Sequence, residues 1–426
     1  MNNNKIAVSR TYYTPSQWQQ MLADGDKKLV SNFGLYLDQE LKNDPLYRDW
    51  DDNHRLFTKV AYDLYVWHQE QFSSCSASKA AGRPRADILL IFMIFFFKQV
   101  KGCSLLHMMH ELKVNLFLQS IIFSHLGRVV VFPKRPTIVK YLKQMASAEL
   151  FSRVFEASVQ NYLRIASENL EPAGDIYEDI QVGQDGAIDA TFLTTPGCVR
   201  SKEEFQAIKD GNWEEKFANL RTHASNCQKD PNTTYGAKYG VYHFGYKATF
   251  VIDVASKLVV SFRLCAAHMH DVLELVPVCS TPSFPDTMTH IWADSGYISK
   301  DKAQTLKDKG IDIDCSKRGY KNKPLTDEDI AWNSHVSHYR IGVEHCFSYL
   351  KNAMNFRIYC KSKVMALAEF AMVVLAQNSA RLQAIIDKLV HRPRKKSSTI
   401  WFMLIYDSSE EFKLSYLNQV SLPLAG

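Results

Sequence analysis

Three acidic residues of this chain lie where a carboxylate can take part in chemistry. Asp189 interrupts the apolar segment GAIDATF, and a buried carboxylate is costly unless it is paired or bound to a metal. Asp294 ends the short run HIWAD, and functional groups concentrate at the carboxyl ends of strands in open α/β sheets. Glu344 lies on a segment with helical periodicity. Taken singly, each also fits a structural role, the aspartates as turn residues and the glutamate as part of a surface salt-bridge ladder.

Taken together, the three acids favour phosphodiester chemistry. Two Mg²⁺ ions about 3.5–4 Å apart can activate an attacking oxygen and stabilise the leaving one. Magnesium prefers hard oxygen ligands and keeps several waters, so a few carboxylates suffice to hold it. Asp185 is an alternative to Asp189, because it lies four positions earlier and therefore on the same face of a strand.

The segment around Glu344 carries a polar stripe beside an apolar one. The polar positions, at i, i+4, i+8, i+11 and i+15, are Arg340, Glu344, Ser348, Lys351 and Asn355. The adjacent apolar stripe suits packing on a sheet. We therefore expect Glu344 at the edge of a buried face, with Arg340 and Lys351 able to hold DNA phosphates beside the acids.

The elements predicted around the acids alternate between strands and helices after residue 180. Strands are expected at 182–193, on both sides of a turn near 255–257, up to Asp294 and at 311–315, and helices at about 271–278, 300–309 and 334–354. This order predicts a mixed α/β sheet with helices on both faces. The polar segment 196–242 looks like an insertion between the first two strands.

The first 170 residues are predicted to be all-helical. The chain would then consist of a helical region at 1–170, an α/β domain at 171–385 and a tail at 386–426. The most apolar stretch, 88–97, is shorter than the roughly 20 residues of a membrane span, so a buried helix is expected there. The nine cysteines contain no Cys-x-x-Cys pair, which argues against a disulfide framework or zinc site and for a reducing, cytoplasmic location. The formal net charge of +6 does not by itself indicate nucleic-acid binding.

Basic residues cluster at two further places. Four of them lie beside and on a predicted helix and are expected to bind DNA ends: Lys134, Arg135, Lys140 and Lys143. Lys317 and Arg318 follow the last predicted strand, where a DNA-backbone contact and a solvated loop are both open. Asp271, in the sequence HMHD, is predicted to cap a helix rather than to bind a metal.

These residues resemble the DDE transposases of bacterial insertion sequences, in particular the insertion-sequence-five group of the insertion-sequence-four superfamily. The family's motif around its third acid is tyrosine, two residues, arginine, three residues, glutamate, six residues and lysine. Arg340, Glu344 and Lys351 keep that spacing, whereas Ser337 stands at the tyrosine position and Tyr339 is nearby but out of register. The segments IDATF and WADSGY resemble the first two acid motifs, and the resemblance spans roughly residues 82–380.

The resemblance implies a ribonuclease-H-like fold in which Asp189, Asp294 and Glu344 bind a pair of Mg²⁺ ions, which Mn²⁺ can replace. It implies cleavage at transposon ends and strand transfer into target DNA. It also implies recognition of terminal inverted repeats, a homodimer on paired ends, a cytoplasmic, nucleoid-associated location and no membrane partner. Two alternatives stay open: a nuclease of the same fold that does not join strands, and a non-catalytic, DNA-binding relic of a transposase.

Overall fold

The computed structural model describes residues 88–114, 122, 131–170, 180–195, 201–212, 230, 232–238, 240–360 and 362–389. The part of the predicted helical region before residue 88 lies outside these residues, as does nearly all of the tail. The described part of the chain forms two compact units. The first contains the helices before Leu150, and the second runs from Phe151 to Ile385.

The first unit is helical in its described residues, as predicted. Its helices are α1 (Ile88–Val100), α2 (Leu105–Val114) and α3 (Arg135–Ser147). Helix α1 is buried along nearly its whole length, which confirms the buried helix expected at 88–97. No single helix of the described residues is both long and apolar enough to cross a membrane. Only α1 and α2 taken together reach that length and hydropathy, and they are bent by 106° at the break between them.

The second unit is built on a six-stranded mixed sheet. The strands are β1 (Asp185–Thr194), β2 (Thr234–Lys238), β3 (Val241–Asp253), β4 (Val259–Ala266), β5 (His290–Ala293) and β6 (Asp312–Cys315). Their order is β2-β3-β1-β5-β6, and β4 also pairs with β3. Because β1 is antiparallel to β3 and parallel to β5, it lies in the interior of the sheet. The order of strands and helices confirms the predicted ribonuclease-H-like mixed sheet.

Helices cover both faces of this sheet, as predicted. The helices of this unit are α4 (Leu150–Asn169), α5 (Lys202–Lys209), α6 (Asp271–Val278), α7 (Lys300–Lys307), α8 (Asp327–Ser348) and α9 (Lys363–Leu389). Helices α4, α8 and α9 share one face through an aromatic cluster with β3 and β4: Phe155, Phe250, Phe262, Phe347 and Phe370. Ser261 precedes Phe262 and so points to the other face, where its hydroxyl donates a hydrogen bond to the Val278 carbonyl of α6.

Two elements differ from their predicted extents for local reasons. The polar segment 196–242 contributes α5 and β2, and β2 is held as a strand because it pairs with the first residues of β3. Helix α8 begins at Asp327, seven residues before the predicted start at 334, because Thr326 and Asp329 form a capping box there.

The division between the two units falls after Leu150, and the domain boundary at residue 170 stays a prediction. Helix α4 belongs to the second unit because it packs on the sheet. The Phe155 ring lies 4.8 Å from that of Phe262, and the hydroxyls of Tyr162 and Ser379 are 2.8 Å apart.

Candidate active site

The two predicted catalytic aspartates lie side by side in the interior of the sheet. Strands β1 and β5 run parallel with Ala187 opposite Trp292, so Asp189 comes level with Asp294 two residues further on. Neighbouring strands are about 4.8 Å apart. The pKa of Asp189 is raised by burial and, in addition, by the charge of Asp294, which shows that the two carboxylates share one environment.

The Asp189 carboxylate is held by two donors. Its Oδ2 accepts a hydrogen bond from Nη2 of Arg340 at 3.0 Å, and its Oδ1 accepts one from the backbone N–H of Ala190 at 2.7 Å. Both donors lower the pKa of Asp189 against the larger effect of burial. The ion pair is mostly enclosed, since the Asp189 and Arg340 side chains are only 16% and 12% exposed. Arg340 therefore neutralises the first acid and fixes its orientation.

Asp294 is oriented by the turn that it begins. It caps the 3₁₀ turn Ser295–Tyr297, and its Oδ1 accepts a hydrogen bond from the Gly296 N–H at 2.7 Å. A Cβ at Gly296 would lie 2.9 Å from that oxygen, so any other residue would push the carboxylate aside. The glycine of the Asp-Ser-Gly sequence is therefore needed to leave Asp294 in place.

Helix α8 packs with residues of its polar stripe against β1. Gly342 permits the close approach, because a Cβ there would lie 2.8 Å from Cδ1 of Ile252 in β3. Arg340 binds Asp189 toward one end of the stripe. Toward the other end, Nζ of Lys351 donates a hydrogen bond to Oγ1 of Thr191 at 2.5 Å. Glu344 lies between these two contacts on the same stripe and is exposed.

The three predicted acids do not form a complete metal-binding group among the described residues. Within the described ranges, no group of three or more histidine, cysteine, aspartate or glutamate side chains could hold a metal ion. The structure brings Asp189 and Asp294 together and places Glu344 one helical turn from Arg340. Convergence of all three carboxylates on one ion stays a prediction.

Lys351 lies on a π-helical turn, Tyr349–Ala353, that continues α8. Such turns are rare and often occur at functional sites. Burial and the charge of Lys238, at the end of β2, lower the pKa of Lys351. The charge of Lys238 also reaches Asp189 and lowers the pKa of that carboxyl against the effect of burial. Two lysines are thus crowded beside the acids, an arrangement that favours an anion such as a phosphate.

Asp185, the alternative first acid, is bound within the protein. Its Oδ1 accepts a hydrogen bond from Nε1 of Trp292 at 3.1 Å. The Trp292 ring in turn stacks on the Tyr339 ring of α8, with centroids 4.2 Å apart. Tyr339, the tyrosine that is out of register in the third motif, therefore packs against Trp292, which binds Asp185. The carboxylate beside Asp294 is that of Asp189.

Two residues near the acids, Lys247 and Tyr297, were not singled out by the sequence. Lys247 of β3 donates a hydrogen bond to Oδ1 of Asp271 at 2.9 Å, and the Tyr297 hydroxyl is buried close to these carboxylates. The prediction that Asp271 caps a helix is wrong: His270 occupies the cap position of α6, and Asp271 is its first residue. An aspartate before a helical segment is usually a cap, and only the fold shows that a lysine from a distant strand binds this one.

The other predicted DNA-binding cations lie apart from the acids in the sequence. Lys317 forms a salt bridge of 2.8 Å with Asp329 at the start of α8, and Arg318 is exposed. The four cations at the start of α3 and along it are all exposed: Lys134, Arg135, Lys140 and Lys143. Their contacts with DNA stay predictions.

Comparison with known proteins bears on the same part of the chain. Residues 181–379 match the family described as Transposase DDE domain. A curated relative, the transposase for insertion sequence element IS1106 of Neisseria meningitidis serogroup B, is 28% identical over 169 residues, which are 40% of this chain and 54% of that protein. The matched part thus spans about half the length of that relative. A solved structure of the piggyBac transposase synaptic complex with hairpin DNA is similar with a TM-score of 0.44 and 11% identity, covering 87% of this chain and 82% of that chain.

Proposed function

We propose that this chain, whose residues 181–379 match the Transposase DDE domain family, is a DDE transposase of a bacterial insertion sequence, and that it cuts DNA at the ends of the element and joins them to target DNA with the help of a divalent cation. Membership of the insertion-sequence-five group and a cytoplasmic, nucleoid-associated location are part of the proposal. So are terminal inverted repeats as the DNA that is recognised and a homodimer as the form that pairs two ends.

The observation that carries the proposal is the placement of the acids relative to α8. Asp189 and Asp294 are adjacent on parallel strands, and the helix that crosses β1 carries Arg340, Glu344 and Lys351 on one stripe. Carboxylates that can hold cations are therefore flanked by side chains that can hold phosphates. Cleavage and joining of phosphodiester bonds need both kinds of group in one place.

The residues present fit a divalent cation of the Mg²⁺ type. Asp189, Asp294 and Glu344 would hold it, since carboxylate oxygens are the ligands that Mg²⁺ prefers and Mn²⁺ also accepts. Two adjacent carboxylates repel each other unless positive charge lies close by, and Arg340 supplies such charge to Asp189 in the structure. The cation would supply an activated attacking oxygen and charge stabilisation at the leaving oxygen.

The chain's own residues contribute orientation and binding. Arg340 fixes the Asp189 carboxylate, and the Gly296 N–H fixes that of Asp294. Lys351 and Lys238 provide positive charge where the DNA backbone would run past the acids. The exposed cations of α3 are proposed to bind the ends of the element.

Cleavage and strand-transfer assays on DNA that carries the element's ends test this function. We expect Asp189→Asn, Asp294→Asn and Glu344→Gln to abolish both steps while DNA binding is retained, because the acids hold the cation and contribute little to phosphate affinity. Asp185→Asn is the matched control on the same strand face, and we expect a milder loss.

Each departure from this pattern identifies another function. Cleavage without joining by the unaltered chain would indicate a nuclease of the same fold. Specific end binding without cleavage, with Mg²⁺ or Mn²⁺ present, would indicate a DNA-binding relic. If Asp185→Asn abolished cleavage and Asp189→Asn did not, the first acid would be Asp185.

A further inference from the structure

A further carboxylate lies beside Asp294. Oδ2 of Asp271 is 3.9 Å from the point where a Cβ on Gly296 would stand, and Oδ1 of Asp294 is 2.9 Å from that same point. Oxygens of both carboxylates therefore lie next to one small space beside Gly296. Asp271 begins α6, on the other face of the sheet from α8, so it approaches this space from the side opposite Glu344.

Lys247 holds Asp271 in this position. Its Nζ donates hydrogen bonds to Oδ1 of Asp271 at 2.9 Å and to the Met269 carbonyl at 2.7 Å, and it lies 5.1 Å from the centre of the Phe192 ring. A structural ion pair accounts for Oδ1 of Asp271. This ion pair does not account for Oδ2, which lies beside Gly296.

The Tyr297 hydroxyl gives independent evidence that a polar ligand enters this space. The side chain is 1% exposed, and its hydroxyl has no hydrogen-bond partner among the residues that the structure describes. Tyr297 ends the turn that Asp294 caps, and burial, together with the charges of Asp271, Asp189 and Asp294, raises the pKa of its hydroxyl. A buried hydroxyl without a partner is destabilising, and such a group persists where a ligand satisfies it.

We propose that Asp271 is a fourth carboxylate of the cation site, which shares a hydrated divalent cation with Asp294, and that Lys247 is its positioning residue. Because Mg²⁺ keeps several of its waters, two carboxylates that both reach the space beside Gly296 can hold one ion through its hydration shell. The Tyr297 hydroxyl then donates a hydrogen bond to a water of that shell. This inference rests on the proposed function, since it adds a ligand to the same site.

Binding of Mn²⁺ to the full chain without DNA tests the proposal, by electron paramagnetic resonance or calorimetry. We expect Asp271→Asn, which keeps an oxygen for Lys247, to weaken Mn²⁺ binding by about tenfold, as loss of a supporting ligand does at other metal sites. Glu274→Gln is the matched control, because Glu274 lies on the same helix and pairs with Arg263 at 2.8 Å, away from the acids. This control should bind Mn²⁺ as the unaltered chain does.

If Asp271→Asn does not fold, a second variant, Tyr297→Phe, tests the proposed cation site. Tyr297→Phe removes only the hydroxyl, so without metal its thermal unfolding temperature should equal or exceed that of the unaltered chain. Added Mn²⁺ should raise that temperature less than it does for the unaltered chain, because a water of the ion's shell loses its hydrogen-bond donor. An equal rise in both proteins would overturn the role of Tyr297 and, with it, the evidence for a ligand in this space.

Asp189→Asn and Asp294→Asn separate failure of this inference from failure of the proposed function. If these two variants lose Mn²⁺ affinity and Asp271→Asn keeps it, Asp271 is only a structural partner of Lys247 and the inference is wrong. If neither of them loses affinity, or if the unaltered chain binds no Mn²⁺, the proposed cation site itself is wrong and the inference falls with it.

Discussion

The β1–β3 ladder carries the buried Asp253 and the half-buried Asp189, and they differ in how completely their carboxylates are bound. Asp253, opposite Gly186, accepts hydrogen bonds from the Gly183 N–H and from both the N–H and the hydroxyl of Ser256. Asp189, on the partner strand, has one peptide N–H and the Arg340 guanidinium, and a second acid lies beside it.

Burial raises the pKa of both groups, but the surroundings have different consequences. The Asp253 carboxylate closes the turn that joins β3 to β4, and its donors all belong to nearby backbone and to Ser256. Around Asp189 there are a further acid, two crowded lysines, and a Tyr297 hydroxyl for which the described residues offer no partner. A saturated carboxylate stabilises a fold, whereas an incompletely bound set of polar groups marks a place for a ligand.

The largest expected effect is on catalysis, and it should separate the two aspartates. Asp189→Asn should abolish detectable strand cleavage, a loss of about a thousandfold or more, because several kcal/mol of transition-state stabilisation would depend on the cation that Asp189 is proposed to hold. Its unfolding temperature should change little, since the asparagine oxygen can still accept from Arg340. Asp253→Asn, measured below its own unfolding temperature, should keep a cleavage rate close to that of the unaltered chain.

The effects on stability should have the reverse order, with substitution of Asp253 destabilising the fold more than substitution of Asp189. Asp253→Ala leaves the Gly183 and Ser256 donors unpaired in a fully buried place, so we expect a loss of about 3 kcal/mol in the free energy of unfolding at neutral pH. Chemical denaturation followed by tryptophan fluorescence measures it. Asp286→Ala, at an exposed position, is the control and should lie within about 0.5 kcal/mol of the unaltered chain. A loss at Asp253 no larger than at Asp286 would contradict the structural role.

Asp253 should also make the stability of the fold depend on pH. Burial raises the pKa of Asp253 from its ordinary 3.8 to about 6, so the folded chain holds this proton more tightly than the unfolded chain does. The contribution is therefore fully present below about pH 4 and is lost as the pH rises through about 6. We expect the stability difference between the unaltered chain and Asp253→Ala to decrease by about 2 kcal/mol across that window. A difference that increased with pH would show that the hydrogen bonds outweigh burial.

Much of the second unit follows from local sequence patterns. Strand alternation and helical periodicity are local, which is why Asp189, Asp294 and the polar stripe of α8 were all predicted and why the mixed sheet was too. The early start of α8 also had a local signal, since Thr326 and Asp329 have the spacing of a capping box. Strand β2 had no such signal, because the short sequence TYGAK becomes a strand through its pairing with β3.

The remaining parts of the site depend on contacts between distant residues. Arg340 and Asp189 are 151 positions apart, and Lys247 and Asp271 lie on different elements, so no spacing rule pairs them. The saturation of Asp253 by Ser256 is close in sequence, yet burial, which decides its pKa, is set by the packing of the whole sheet. Residue types identify candidate acids, and the fold decides which of them are incompletely bound.

The smallest expected effect concerns Lys351, which tests whether the positive charge near Asp189 faces a ligand. Burial and the like charge of Lys238 both disfavour the protonated form of Lys351, and so lower its pKa, and a DNA phosphate would relieve that repulsion. Lys351→Met should therefore weaken binding to end-containing DNA a few-fold and make its dependence on salt shallower by about one unit of slope, as loss of one phosphate contact does. Lys307→Met, at an exposed position on α7, removes the same charge elsewhere and should leave the slope unchanged. Equal changes in both variants would mean that only net charge matters, and the lysines beside Asp189 would then be as structural as the donors around Asp253.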